Sequence, residues 1–183
     1  MCIRDSNKVA YITGGTKGIG YGTAKVLLNA GMRVVISGRK LEDAQAAAKS
    51  LGDESKVVGI QSDVTNFEEE QKAIQKAIEH FGQLDVVLAN AGLGVFAPVD
   101  ELSLDSWHQM MNTNLSGVFH TLKASVEELK KSKGYYITLA SLAGTNFFEN
   151  ASGYNATKFG VVGFTQAAML DLRKYDIKVS TIM

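Results

Sequence analysis

Tyr154 and Lys158 stand four residues apart in the stretch YNATK, a spacing that places both on one face of a helix. An ammonium held beside a phenol favours the phenolate, so such a pair could give a proton to a carbonyl oxygen or withdraw one from an alcohol. Ser141 closes the run YYITLAS at 135–141. From a strand end its hydroxyl could hold the same oxygen and stabilise a developing alkoxide. Asn114 falls inside an apolar stripe of Trp107, Met111, Leu115, Val118 and Leu122. An amide buried there needs partners, and a neighbouring backbone is the commonest. Taken alone, Tyr154 and Lys158 also suit an ordinary amphipathic helix whose inner face continues through Val161, Val162, Thr165, Ala168 and Met169. The chemistry therefore rests on what else lies beside them.

A second constellation is TGGTKGIG at 13–20, between the first strand and the first helix. Glycines at 14, 18 and 20 let the backbone turn sharply and approach a pyrophosphate, whose charge is favoured by the free amides of a helix N-terminus. Thr16, Lys17 and Ile19 share that turn. The second strand ends Ser37, Gly38, Arg39 with no carboxylate to hold ribose hydroxyls. Arg39 and Lys17 could instead meet a 2′-phosphate, which favours NADP(H) over NAD(H). The competing reading leaves both as solvated surface charges. Asp63 and Val64 close the third strand, and Asn90, Ala91 and Gly92 close the fourth. Asp63 is equally suited to capping the turn that follows. All of these residues lie at carboxyl ends of strands, the edge where open α/β sheets bind ligands.

The elements that must position these groups follow from hydrophobic periodicity. Short β-branched runs at 8–13, 33–37, 56–61, 84–90, 135–141 and 177–182 alternate with helical patterns near 18–30, 40–51, 66–81, 104–131 and 154–175. This alternation predicts a three-layer α/β domain, a parallel sheet covered on both faces. Thr65 with Glu68 reads as a capping box opening the third helix, and Gly31, Gly52 and Gly82 sit at helix ends. Trp107 and the methionines read as core.

Composition narrows the function classes. The 183 residues fit one domain, and nineteen basic residues balance nineteen acidic ones without long blocks, so no general field favours nucleic acid or a membrane. Apolar runs fall short of the roughly 18 residues of a membrane helix, and the chain reads as soluble and cytoplasmic. The single Cys2 forms no internal disulfide, and His80, His108 and His120 lack metal-ligand spacing, so no metal is expected. Residues 1–7 read as a non-native leader ahead of a domain at 8–183, and the ending IKVSTIM reads as a strand cut short.

TGGTKGIG, ANAG at 89–92, NTNLSG at 112–117, Ser141 and YNATK together resemble the short-chain dehydrogenase/reductase family, in order and spacing, from about Lys8 onward. The resemblance implies a Rossmann-type doubly wound sheet of order 3-2-1-4-5-6 and a tetrad of Asn114, Ser141, Tyr154 and Lys158. Within it Lys158 also binds the nicotinamide ribose, and Asn114 holds a water that completes a proton path. It further implies that Asp63 contacts adenine, that Asn90 and Gly92 border the cofactor, and that Lys17 and Arg39 are as in NADP-preferring members. Similarity extends to 3-oxoacyl carrier-protein reductases. The family's usual NNAG has Ala89 in place of its first asparagine, and its seventh strand and substrate loop have no counterpart by Met183. The function expected is NADPH-dependent reduction of a small carbonyl compound, reversible as alcohol oxidation, in a homo-oligomer formed through helices 104–131 and 154–175. The alternative is a dinucleotide sensor or an inactive fragment.

Overall fold

The computed structural model describes residues 7–183, so of the expected leader only Asn7 is seen and Cys2 lies outside the described residues. Six strands form one parallel sheet: β1 (Val9–Ile12), β2 (Arg33–Gly38), β3 (Val57–Gln61), β4 (Val86–Ala89), β5 (Tyr135–Leu139) and β6 (Lys178–Ile182). Their order is β3-β2-β1-β4-β5-β6, the order implied by the resemblance. The connecting helices are α1 (Gly18–Asn29), α2 (Leu41–Leu51), α3 (Phe67–Phe81), α4 (Leu104–Met110), α5 (Gly117–Ser132) and α6 (Ser152–Leu172). Parallel neighbours require such crossovers, and the right-handed preference of each crossover winds the chain outward from β1 to β3 and then back to β4. The reversal makes β1 and β4 neighbours, with Ile12 opposite Leu88. A crevice therefore opens beyond their carboxyl ends.

The strands are apolar on both faces because both are covered. Val9 and Tyr11 point into a cluster with Ala73, Ala77, Leu129, Tyr136 and Val161, drawn from α3, α5, β5 and α6. Ile12 points the other way, toward Ala24, Val34, Ile36, Ala48 and Val57 beneath α1 and α2. The alternation is the two-residue period of a strand. Under α2 the approach is so close that a Cβ at Gly59 would lie 2.1 Å from the Ala44 carbonyl oxygen.

The described structure departs from the sequence reading in three places. The pattern over 104–131 is not one regular helix. It breaks into α4, a widened π-type segment (Met111–Ser116) and α5. The widened segment turns Met110, Asn114, Gly117 and Thr121 fully inward, while Trp107, Met111 and Leu115 of the expected stripe are only half-buried. On α6, Val161, Thr165 and Ala168 are buried as expected, but Met169 is 43% exposed, because one further residue rotates it about 100° off the inner face. Finally, α3 is capped by Asn66, not Thr65. The Asn66 Oδ1 accepts from the backbone N–H groups of Glu68 at 3.0 Å and Glu69 at 3.3 Å. Thr65 instead donates its hydroxyl to Asp63 Oδ1 at 2.8 Å, so Asp63 does cap the turn after β3. Gly31 and Gly82 take left-handed conformations at helix ends, with φ of 89° and 79°.

Candidate active site

The first β–α turn is built to leave amides open. Gly14 and Gly18 adopt φ of 63° and 59°, conformations that other residues rarely reach. Gly20 packs under the turn, where a Cβ would fall 2.6 Å from Asn90 Nδ2 and 2.7 Å from the Gly14 oxygen. Lys17 at the N-cap of α1 is extended and offers no side-chain cap, and no acidic residue occupies the first turn. The unpaired N–H groups at this helix start are free to meet an anion.

Thr13 and Asn90 stitch the turn to the fourth strand. The backbone N–H groups of Asn90 and Ala91 both donate to Thr13 Oγ1 at 3.0 Å. Asn90 Nδ2 donates to the carbonyls of Thr13 at 2.8 Å and Gly14 at 3.1 Å. Thr13 was not singled out from the sequence, since its partners lie 77 and 78 residues away. A cleft of about 430 Å³ opens over this junction. Gly14, Thr16, Lys17, Arg39, Asp63, Val64, Asn90, Ala91 and Gly92 line it, together with unanticipated Gln109, Asn112 and Thr113 from α4 and the widened segment. Ile19, 63% exposed on α1, and Gly18 and Gly20 do not line it. Beside it runs an open groove whose lining includes Thr16, Lys17, Tyr21, Arg39, Lys40 and Ser50. Among the described residues, no hydrogen bond or ion pair engages the Lys17 or Arg39 side chains.

The second constellation gathers at the same edge. Lys158 is 6% exposed, and its Nζ donates to the Leu139 carbonyl at the end of β5 at 2.9 Å. Nζ stands 5.7 Å from the centroid of the Tyr154 ring. Burial lowers the Lys158 pKa from 10.5 to about 8. Asn114, 1% exposed, clamps the loop after β4: Leu93 N–H donates to its Oδ1 at 2.8 Å, and its Nδ2 donates to the Leu93 carbonyl at 2.7 Å. Nδ2 also reaches Thr157 Oγ1 on α6 at 3.1 Å. The amide thus ties down a neighbouring backbone, the first of the two uses considered for it. Asn114 and Lys158 converge on Gly92, where a Cβ would lie 3.3 Å from Oδ1 of one and 3.8 Å from Nζ of the other. Ser141 begins a tight turn (Leu142–Gly144), its Oγ accepting from Ala143 N–H at 3.1 Å. That turn packs on α6, since a Cβ at Gly144 would meet the Lys158 carbonyl at 2.9 Å.

Asn155 is a positioning residue that sequence reasoning passed over. Its Nδ2 donates to the carbonyls of Ala143 at 2.7 Å and Asn146 at 2.6 Å, and its Oδ1 accepts from Phe148 N–H at 3.2 Å. One buried amide therefore shapes the loop after Ser141.

A doubly wound sheet with an anion-ready first turn, and with a phenol, an ammonium and a hydroxyl on elements meeting at the same edge, describes a nucleotide-dependent oxidoreductase. The chain belongs to the short chain dehydrogenase family, whose model matches residues 8–183. It is 34% identical to trans-4-hydroxycyclohexanecarboxylate dehydrogenase of Sinomonas cyclohexanicum, covering 98% of this chain and 72% of that one. It is also 34% identical to an uncharacterized oxidoreductase of Staphylococcus aureus, over 97% of this chain and 77% of that one. The fold superposes with a TM-score of 0.87 on an alcohol dehydrogenase from the archaeon Thermococcus sibiricus complexed with 5-hydroxy-NADP, at 31% identity over 93% of this chain and 72% of that chain. The chain is thus an oxidoreductase acting on CH–OH groups with a nicotinamide cofactor. No helix among the described residues is long and apolar enough to cross a membrane.

Proposed function

We propose that the chain reduces a small carbonyl compound with NADPH and oxidises the corresponding secondary alcohol in reverse. The observation that carries this reading is the convergence of Asn114 and Lys158 on Gly92, which also lines the cleft beside the glycine turn. The residues present fit a dinucleotide. Left-handed glycines and uncapped amides at α1 suit a pyrophosphate, Asp63 and Val64 border an adenine position, and Lys17 and Arg39 suit a 2′-phosphate. The NADP analogue bound by the Thermococcus enzyme supports the same choice.

A bound nicotinamide supplies the hydride. Tyr154 gives its phenolic proton to the carbonyl oxygen as the carbon becomes tetrahedral, and Ser141 donates its hydroxyl hydrogen to that oxygen, lowering the cost of alkoxide charge. The Lys158 ammonium stabilises the phenolate left behind. Asn114 holds Leu93 and α6 in register, and we assign it, with Lys158, to the path that reprotonates Tyr154. Lys158 also suits the cofactor's ribose hydroxyls. The protein acts as a homo-oligomer in this reading.

The Sinomonas relative makes a ring ketone a sensible first substrate. Loss of NADPH absorbance with cyclohexanone-type ketones, and tighter NADPH than NADH binding by fluorescence titration, are expected. NADPH binding without turnover across a ketone panel would favour the alternative, a dinucleotide sensor.

A further inference from the structure

Two short segments flank Tyr154, residues 93–102 after β4 and residues 141–153 after β5. Their composition is one-sided: neither contains a Lys, Arg or His, and their charged residues are Asp100, Glu101 and Glu149. All three carboxylates are exposed. The same segments display large apolar side chains to solvent, with Phe96 62% and Leu142 61% exposed.

Phe96 is held in place. Its ring lies 5.4 Å from the Tyr154 ring, centroid to centroid, at a tilt of 55°. Gly94 makes room for this approach, since a Cβ there would lie 3.0 Å from the Phe96 ring and 3.3 Å from Tyr154 Cδ2. The two segments are bound to each other by Ala97 N–H donating to the Asn150 carbonyl at 2.8 Å. An aromatic ring fixed against the proton donor and left open to water is a surface that a ligand can cover. A carboxylate or phosphate placed there would lose hydration with no cation from these segments to replace it. The Lys158 ammonium, 5.7 Å from the Tyr154 ring, is buried and bonded to Leu139.

We propose that the substrate is an uncharged carbonyl compound with an apolar ring or chain seated against Phe96, and that these segments select against anionic substrates. The proposal rests on the reading of the reaction given above and narrows it away from carboxylates and phosphate-bearing thioesters.

A matched pair tests it: methyl 4-oxocyclohexanecarboxylate and the free 4-oxocyclohexanecarboxylate, the same ring ketone without and with a charge. With NADPH, kcat/KM for the ester is expected to exceed that for the acid by about tenfold or more, mainly through KM. Phe96→Ala should lower the ester value about tenfold, and Phe96→Arg should shift the preference toward the acid. Because Phe96 is exposed, its variants should fold, which thermal melts will check. Equal or better use of the acid by the unaltered protein would overturn the proposal. If neither ketone is reduced, the reading of the reaction fails, and ligand-observed NMR with the protein and NADP⁺ decides the substrate class. Saturation transfer to the ester, weak for the acid and lost in Phe96→Ala, would sustain it, and equal transfer to both would reject it.

Discussion

At the scale of single residues, Lys158 sets folding against chemistry. Its ammonium is taken from water into a site with one carbonyl partner, and burial depresses its pKa to about 8. The unfolded chain holds that proton up to 10.5, so the folded state binds fewer protons between the two values. Stability therefore rises as pH climbs through this window, and below it the buried charge costs roughly 3 kcal/mol. Lys158→Met should raise the melting temperature by several degrees at neutral pH, flatten the rise in stability on the alkaline side, and abolish turnover. A variant less stable than the parent would show that the Leu139 hydrogen bond outweighs the buried charge. YNATK revealed the pair because both residues sit on one helix face. The role of Asn155 between them was not legible, since its acceptors follow only from how the loop after Ser141 folds back.

At the scale of elements, α3 carries a buried carboxylate that ties β1 and the end of β3 to α5. Glu70 is fully buried. Its Oε1 accepts from Tyr11 on β1 at 2.9 Å and from Ser62 after β3 at 2.6 Å, and its Oε2 accepts from Thr121 on α5 at 2.9 Å. Beside it Glu69 Oε2 accepts from the Asp63 N–H at 2.9 Å, so one turn of α3 pins the strand end that lines the cleft. Burial raises the Glu70 pKa above its ordinary 4.5 despite the three hydroxyl donors. The folded state then keeps a proton that the unfolded chain releases, and stability falls as pH rises from 4.5 through the raised folded value. Glu70→Gln should remove that fall, giving a flatter stability curve above pH 4.5 in denaturant titrations. Glu70→Ala should cost about 1–3 kcal/mol or more at any pH, by stranding buried hydroxyls. A parent curve as flat as the Gln variant's would contradict the assignment.

The alternation of strands and helices was readable because their hydrophobic periods differ, and the site edge because its residues close successive strands. The widened turn around Asn114 and the Glu70 network were not. An expanded turn has no marker in the pattern of apolar residues, and the partners of Glu70 are 59, 8 and 51 residues away. The sequence pattern points to Thr65 as the cap, but Asn66 beside it is an equally good capping residue and takes the position.

At the scale of the whole molecule, equal numbers of acidic and basic residues leave no global field to attract a cofactor. In the function proposed above, discrimination between NADPH and NADH falls to Lys17, Arg39 and Lys40 around one groove, which Asp43 also lines. A ligand that binds only the folded chain stabilises it by mass action, about 2.7 kcal/mol at roughly 100 times its Kd. For a domain of this size that is roughly 5–10 °C in melting temperature. NADPH should give the larger shift at equal concentration, and added salt should reduce its advantage by screening the exposed cations. An equal or larger shift with NADH would remove Arg39 from the cofactor site. The proposed proton donor is tested most directly by Tyr154→Phe, followed by NADPH titration and single-turnover reduction of a ketone that the parent accepts. NADPH affinity should be unchanged and the rate lower by at least about 10²-fold; reduction within a few-fold of the parent would rule out Tyr154 as the proton donor.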